Sequence, residues 1–435
     1  MTVEKAIDYV YASYLKAEPH LDYHASDAEK RNPKLSKAII AKRAGIPTVL
    51  VTGSKGKGSV AKMIAEIMGV YHKVGLMTSP HILAFNERIQ VQGEPVSDEL
   101  LARAIAQIKP EFDVVEATLG EKEYISPMGI QAAVALDIFK KSEVTFQVME
   151  CGKGVALDDV NNVPHKYGVI NRIFLEHTRE LGKTLKEIAE NKAAIMTGEQ
   201  AAVFTSKQEP EVQAVLRLAA ERQETPLYEY GRDFWCEDIR YTSRGMCFDV
   251  VTRNMRYVDI QIPLLGTYQA ENCAMAIALC ELEQGVLDEA GIKQALQYLE
   301  WPGRLEILSS DPLMLLDACI NRESCCNVLE ALKQLGTKQV TTIIGIPADK
   351  DYQGVAEAMK EVSAHMILTK SGNTHYRFDR EQTEVLAESG IKAEWAENIK
   401  AAIDKAHTWD RPICILGTTS LISDVKALAA EPMPL

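Results

Sequence analysis

Short apolar runs alternate along this chain with longer stretches in which apolar side chains recur every three or four residues. The runs have the length of buried strands, and the stretches have the periodicity of amphipathic helices. This alternation is typical of α/β proteins, in which helices cover both faces of a mostly parallel sheet. In the first part of the chain, the predicted strands are Thr48–Thr52, Val74–Met77, Val144–Glu150, Gly168–Ile170 and Ala202–Thr205.

A different pattern separates two regions of this kind. Between Trp235 and Ile262, apolar and polar residues alternate, which predicts a small antiparallel sheet. After Trp301–Arg304 the α/β alternation resumes, which predicts a smaller doubly wound domain. We therefore expect domains at 1–298 and 299–435, with a ligand site in the cleft between them. The other predicted elements are a helix at Glu271–Glu283 and strands at Leu313–Asp317, Val340–Gly345, Met366–Thr369 and Ile413–Gly417.

A glycine-rich loop follows the first predicted strand and has the sequence VTGSKGKGS from Val51 to Ser59. Apolar residues beyond it recur with helical spacing, so the loop opens a helix. A strand, loop and helix in this order direct backbone N–H groups and the positive end of the helix dipole at an anion. Lys57 adds a charge suited to the β- and γ-phosphates of a nucleotide, and Ser59 a hydroxyl suited to Mg²⁺. A turn without a ligand would explain Gly53 and Gly56, but not this lysine and serine.

Composition favours a soluble intracellular enzyme. The chain has 435 residues, of which 46% are hydrophobic and 25% charged, enough for two or three cores. Its net charge of -13 disfavours a nucleic-acid partner. The sequence offers no apolar run of the ~18 residues that a membrane helix needs, and its polar N-terminal segment lacks a secretory core. The nine scattered cysteines show no zinc spacing, which indicates reduced thiols and a cytoplasmic location.

Polar residues with chemical potential stand near the ends of the predicted strands. Ser79 follows the second strand, Glu150 ends the third, and His177 follows the fourth. Lys192 lies farther on, in a helix whose start is marked by a capping box at Thr184–Glu187. Singly, His177 and Lys192 would more often be ordinary structural or solvated residues. A carboxylate at the end of an apolar strand must be paired with a cation, exposed to solvent or bound to a metal ion. Because Glu150 is predicted to lie beside a phosphate loop, metal binding is the favoured interpretation.

The motifs of this chain also occur in a distinctive order. They are Gly53–Ser59, Thr78–His81, Phe85–Ile89, Glu150–Gly154, Glu176–Thr184, Asn191–Ala193, Gly266–Asn272, Trp301–Glu306, Asp317 with Asn321, Ala348–Asp351 and Gly417. In this order they resemble the Mur ligase superfamily and, within it, the folylpolyglutamate synthase/dihydrofolate synthase branch. The resemblance implies a P-loop Mur-ligase-type central domain with a parallel sheet and a small antiparallel sheet. A smaller Rossmann-like α/β C-terminal domain, which binds the amino acid, would follow it.

The resemblance further implies an ATP-dependent amide ligase that acts as a monomer on a small-molecule carboxylate and an amino acid, with ATP and two Mg²⁺ ions. A carboxylate attacks the γ-phosphate, and an amine then attacks the acyl phosphate. The residues implied as catalytic are Lys57, His177 and Lys192, and Lys192 matches the lysine that members of this family carbamylate. Those implied as metal ligands are Ser59, Ser79, Glu150 and His177. Those implied as nucleotide contacts are Gly53, Ser54, Lys55, Gly56, Lys57, Gly58, Ser59, Gln269, Asn272, Arg304 and Asp317.

Several positions depart from the family pattern on the substrate side. An arginine of the family is Ala156 here, for which Lys153 is only a partial substitute, and two of its histidines are Ile320 and Tyr268. We therefore expect a working ligase whose acid or amino acid differs from folate and glutamate. Two alternatives stay open at this point. One is an ATP-binding paralogue with weakened or no ligase activity that serves a binding or regulatory role, and the other is a P-loop NTPase.

Overall fold

The computed structural model describes residues 1–22, 26–373 and 376–430 and confirms the α/β class. The largest sheet within these residues has eight strands in the order β4-β3-β2-β5-β1-β6-β7-β8. Numbered along the chain, they are β1 (Thr48–Thr52), β2 (Val74–Met77), β3 (Ile89–Val91), β4 (Glu94–Pro95), β5 (Phe146–Glu150), β6 (Tyr167–Ile170), β7 (Ala202–Thr205) and β8 (Leu227–Glu229).

Parallel pairing brings four strand ends of this sheet together. Strands β2, β5, β1 and β6 are consecutive neighbours and run parallel, whereas β3 and β4 add an antiparallel edge. In the register of the sheet, Val51 lies opposite Glu150, and Thr52 lies opposite Ile170. Chain segments that leave these strands therefore start from one edge of the sheet, which is where ligands bind in sheets of this type.

Helices accompany this sheet along the chain, and their buried faces form its core. Helix α6 is buried along most of its length, as suits a helix packed between other elements. The helices are α1 (Val3–Ala17), α2 (Asp27–Lys30), α3 (Lys34–Ala41), α4 (Lys57–Gly69), α5 (Asp98–Glu116), α6 (Pro127–Lys141), α7 (Leu185–Ala193), α8 (Pro210–Arg222), α9 (Thr267–Gln284) and α10 (Glu289–Gln297).

The predicted small antiparallel sheet and second α/β region are both present. The small sheet has the order β11-β10-β9, and a six-stranded sheet has the order β12-β13-β17-β14-β15-β16. The strands of the small sheet are β9 (Phe234–Thr242), β10 (Gly245–Thr252) and β11 (Arg256–Ile262). Those of the six-stranded sheet are β12 (Glu306–Ser310), β13 (Leu313–Asp317), β14 (Val340–Gly345), β15 (Ser363–Thr369), β16 (Glu394–Ala396) and β17 (Ile413–Gly417). The helices beside it are α11 (Arg322–Gln334), α12 (Tyr352–Met359), α13 (Glu381–Glu388), α14 (Ile399–His407) and α15 (Thr419–Ala430).

The described chain forms two compact units. The first takes in 1–237, 250–258 and 271–296, and the second takes in 238–249, 259–270 and 297–435. The chain thus enters the second unit three times. All nine cysteines are free thiols, as predicted. Among the described helices, none is long and apolar enough to cross a membrane.

One predicted strand began too early. Val144 does not belong to β5, because its backbone N–H donates to the carbonyl of Phe139 at 3.0 Å and so closes the end of α6. Glu143, with φ 54, adopts the left-handed conformation that commonly ends a helix. Val144 therefore belongs to the turn that ends α6, and its apolar side chain alone does not distinguish this position from the start of a strand.

The capping box predicted for α7 is present and gives a first test. Thr184 Oγ1 accepts a hydrogen bond from the backbone N–H of Glu187 at 3.2 Å, and Glu187 Oε2 accepts one from the N–H of Thr184 at 3.0 Å. We expect Thr184→Ala to lower the free energy of unfolding by about 1 kcal/mol in chemical denaturation. Glu190→Ala, at an exposed position of the same helix, should change it by less than about 0.5 kcal/mol. Equal effects of the two substitutions would contradict a stabilising role for the cap.

Candidate active site

The glycine-rich loop has the geometry predicted for it. Strand β1 is buried throughout and ends at Thr52, and α4 begins at Lys57. Gly56 precedes the helix in a left-handed conformation with φ 76, and Gly53 has φ 137. Ser59 lies in the first turn of α4 and is almost fully buried. The N–H groups at this helix start have no partner within the helix and therefore suit an anion.

Packing also requires glycine in this loop. A methyl group on Gly53 would lie 2.7 Å from Cβ of Asn171, and one on Gly56 would lie 2.5 Å from Nδ2 of the same residue. Both distances are shorter than carbon and nitrogen atoms tolerate. The loop therefore lies directly against Asn171.

Two of the predicted catalytic lysines meet at one atom of this loop. Lys57 Nζ donates to the carbonyl oxygen of Gly53 at 3.0 Å, and Lys192 Nζ donates to the same oxygen at 2.9 Å. The structure thus brings together two residues that are far apart in the sequence. Their cationic side chains lie beside the loop, where a polyphosphate would be attracted.

Lys192 is fully buried, which is rare for a lysine. Besides Gly53, it donates to the carbonyl of Lys153 at 2.8 Å and forms an ion pair with Glu176 Oε1 at 3.2 Å. Burial, followed by repulsion from Lys57, lowers the pKa of Lys192 to about 8, although Glu176 acts in the opposite direction. The amine is therefore partly neutral near physiological pH, unlike an ordinary lysine.

The predicted metal ligands Ser79 and Glu150 are in contact. Glu150 ends β5 with its side chain almost completely buried, and its Oε2 accepts a hydrogen bond from the backbone N–H of Ser79 at 3.0 Å. The contact follows from the sheet, since β2 and β5 are parallel neighbours. A buried carboxylate at this edge can retain its charge only with partners of this kind.

His177 lies beyond β6 in a backbone conformation with φ 45 that is unusual for residues other than glycine. Desolvation lowers the pKa of His177, and the cations Lys153 and Lys192 lower it further, against the opposing effect of Glu176. Neutral imidazole is the form that binds metal ions, so the low pKa suits the predicted role.

The predicted metal ligands suit Mg²⁺ better than a metal ion that is coordinated by protein side chains alone. The described residues contain no group of three or more histidine, cysteine, aspartate or glutamate side chains that could hold a metal ion. The predicted ligands are instead one carboxylate, one imidazole and two hydroxyls. Mg²⁺ commonly binds through one or two carboxylates together with substrate phosphates and water. The carboxylate of Glu150 and the two hydroxyls are oxygen ligands of the kind that Mg²⁺ prefers, and nucleotide phosphates would complete its coordination.

Four of the predicted nucleotide contacts lie outside the phosphate loop. Asn272, in the first unit, is buried and pairs with Asn171. Gln269 belongs to the second unit and is also buried. In that unit Asp317 Oδ2 accepts a hydrogen bond from the N–H of Leu305 at 2.8 Å, and Arg304 donates to the carbonyl of Gly303 at 3.0 Å.

The residues that depart from the family pattern have identifiable surroundings. Ala156 is exposed, and the ammonium of Lys153 pairs with Glu180 at 3.4 Å. Ile320 precedes Asn321, which caps α11. Tyr268 has a raised pKa, first because of burial and then because of the carboxylate of Asp317.

The sequence predicted no role for two residues that contact Lys192 or the phosphate loop in the structure. Glu176 was noted only as part of a motif, yet it forms the ion pair with Lys192. Asn171 was not noted, although it contacts both the loop and Asn272. Its only sequence signal is a polar residue directly after a buried strand.

Comparison with known families decides the relationship. A family model described as "Mur ligase middle domain" matches residues 51–280, and one described as "Mur ligase, glutamate ligase domain" matches residues 303–416. The chain belongs to the Mur ligase family. This agrees with the resemblance seen in the motifs.

Within the Mur ligase family, the chain belongs to the folylpolyglutamate synthase branch. Folylpolyglutamate synthase of Lacticaseibacillus casei is 31% identical over 386 residues, which cover 86% of this chain and 88% of the relative. The dihydrofolate synthase/folylpolyglutamate synthase of Bacillus subtilis is 32% identical over 327 residues, 73% of this chain and 74% of the relative. A solved complex of folylpolyglutamate synthase with AMPPCP and folate has a TM-score of 0.80 and 27% identity, covering 99% of this chain and 100% of that chain.

The close packing of the loop leads to a second test. We expect Gly53→Ala to lower the free energy of unfolding by about 1–3 kcal/mol, because alanine is strained at φ 137 and meets Asn171. The variant should also bind AMPPCP more weakly in a calorimetric titration. Gly69→Ala is the matched control, since an added methyl there meets nothing within 4 Å. A Gly53→Ala protein that matched this control in stability and affinity would refute the packing requirement.

Proposed function

We propose that this Mur ligase family member activates a substrate carboxylate with ATP as an acyl phosphate and joins it to an amino acid. Enzymes of the folylpolyglutamate synthase branch are ATP-dependent ligases that form carbon–nitrogen bonds. The observation that carries the proposal is the shared contact of Lys57 and Lys192 with the carbonyl of Gly53, next to a phosphate loop. Membership in this branch favours the ligase over a non-catalytic paralogue.

The proposed reaction has two steps. A carboxylate oxygen of the acid forms a bond to the γ-phosphorus, and the bond between this phosphorus and the bridging oxygen of ADP breaks. The amine nitrogen of the amino acid then bonds to the acyl carbon, and inorganic phosphate leaves with the electron pair as the amine loses a proton. Lys57 and the N–H groups at the start of α4 would stabilise the negative charge that gathers on the phosphates.

For Mg²⁺ we propose Ser59, Ser79, Glu150 and His177 as ligands. When bound, the ion would neutralise phosphate charge and fix the orientation of the γ-phosphate. The hydrogen bond from Ser79 to Glu150 holds this carboxylate at the sheet edge. For Gln269, Arg304 and Asp317, the nucleotide-binding roles implied by the resemblance stay predictions.

Carbamylation of Lys192 is a further part of the proposal. Only the neutral amine attacks CO₂, and a pKa of about 8 leaves roughly a tenth of the side chain neutral at pH 7. The change would also replace the repulsion between Lys57 and Lys192 with attraction. However, Lys192 donates to two carbonyl oxygens and forms an ion pair with Glu176, and these contacts suit an ammonium group. A carbamate would have to exchange at least two of these contacts.

As substrates we propose a folate-type acid and glutamate. The names of the relatives and the complex with AMPPCP and folate support this choice. A different small-molecule acid is the second candidate. Two observations favour this candidate. Exposed Ala156 cannot supply the positive charge of the family's arginine. Lys153, which could partly replace this arginine, is already paired with Glu180.

The ligase proposal predicts a strict substrate requirement. Phosphate release from ATP should need both an acid and an amino acid, because each step consumes one of them. Added hydroxylamine should trap the acyl phosphate as a hydroxamate when the acid is present and the amino acid is absent. Testing folate-type and unrelated acids in this assay would identify the acceptor. Phosphate release from ATP alone would support an NTPase and contradict the proposal.

The role of Lys192 is tested by substitution and rescue. Lys192→Ala should lower the rate by roughly hundredfold or more, the usual effect of removing a group that stabilises developing charge. If a carbamate is required, short carboxylates should restore part of the activity of Lys192→Ala, and Lys192→Arg should stay inactive. Without such a requirement, Lys192→Arg should keep part of the activity and carboxylates should have no effect. Lys186→Ala, at an exposed position of the same helix, is the control. Unchanged activity of Lys192→Ala would exclude any role.

A further inference from the structure

Asn171 is held firmly at the end of β6. Its backbone N–H donates to the carbonyl of Thr52 at 2.8 Å, and its own carbonyl accepts from Gln208 Nε2 at 3.1 Å. The pairing of β1 and β6 continues beyond it, since the N–H of Ser54 donates to the carbonyl of Arg172 at 2.9 Å. The backbone on either side of Asn171 is therefore tied to the phosphate loop.

The side chain of Asn171 is fixed at both ends. Its Oδ1 accepts a hydrogen bond from the backbone N–H of Arg172, and its Nδ2 donates to Oδ1 of Asn272, both at 2.8 Å. Asn171 and Asn272 are 4% and 2% exposed, so water competes little for these bonds. Because Oδ1 of Asn272 accepts from Asn171, the amide of Asn272 is held in one orientation.

Asn171 and Asn272 lie directly against the phosphate loop. A methyl group on Gly56 would come within 2.5 Å of Asn171 Nδ2 and 3.1 Å of Asn272 Nδ2. The amide group of Asn272 is thus directly beside the last residue before α4. The hydrogen bonds to Thr52 and Arg172 hold the end of β6 separately from this contact.

We propose that Asn171 is a positioning residue for the nucleotide and acts through Asn272. By accepting from Asn171, Asn272 keeps its Nδ2 donor group turned toward Gly56 and the nucleotide side of the loop. This inference rests on the proposed use of ATP and adds to it a residue that does not itself touch the substrate. Removing Asn171 would delete the hydrogen bond to Asn272 Oδ1, so part of the binding energy would be spent on holding the Asn272 amide in place.

A double-mutant cycle on AMPPCP binding tests the inference. Asn171→Ala and Asn272→Ala should each weaken the affinity roughly tenfold, the effect of about one hydrogen bond. If Asn171 acts through Asn272, the double variant should bind hardly more weakly than Asn272→Ala. Asn171→Asp keeps the acceptor for Arg172 but lacks the donor, and should bind at least as weakly as Asn171→Ala.

Gln208→Ala is the matched control, because Gln208 holds the backbone of Asn171 through hydrogen bonds to Asn171, Ile173 and Thr205 rather than through Asn272. It should lower the melting temperature and leave the affinity of the folded protein for AMPPCP nearly unchanged. Additive effects in the cycle, or wild-type affinity in Asn171→Ala or Asn171→Asp, would overturn the positioning role alone. A wild-type protein that does not bind AMPPCP would overturn the proposed function as well. The binding assay needs neither acid nor amino acid, so a failed ligation assay would not decide it.

Discussion

One carbonyl oxygen, that of Gly53, organises the candidate site. It accepts hydrogen bonds from the side-chain nitrogens of both Lys57 and Lys192 and so offsets part of the repulsion between them. Two further groups stabilise Lys192 in this arrangement. Glu176 supplies a negative charge, and the carbonyl of Lys153 supplies a hydrogen-bond acceptor. The length and start of α7, the pairing of β1 with β6 and the tight phosphate loop all serve to bring these groups to one point.

The fold was largely predictable because its central strands are buried on both faces. Strands β1, β2, β7, β13, β14 and β17 are short, mostly apolar or β-branched runs, and their predicted bounds agree with the structure. The edge strands β4, β8, β12 and β16, and β3 beside β4, were not predicted, since they are short and mostly lack full burial. The early start assigned to β5 has another cause, since Val144 completes the turn that ends α6.

The site was predictable only where a local motif announces it. Lys57 and Ser59 belong to a loop with a recognisable sequence, and Glu150 is conspicuous as a carboxylate at the end of an apolar run. Glu176 belongs to a motif that does not reveal its role, and Asn171 is only a polar residue after a strand, because their partners Lys192 and Asn272 lie elsewhere in the chain. Asn171 and its partner Asn272 are separated by 101 positions. Side-chain pairs of this kind have no sequence periodicity, and only the assembled sheet defines them.

The position of β1 in its sheet also sets the order in which the site can come into being during synthesis. Thr48 pairs with Gln147 and Val49 with Tyr167, so both neighbours of this strand are made long after it. At about 5–20 residues per second, roughly 7–27 seconds separate the synthesis of Ser59 from that of Lys192. A nascent chain therefore carries a complete phosphate-loop sequence without the sheet that shapes it. Because ligands stabilise only the state that binds them, ATP would favour the finished molecule over its incomplete precursors.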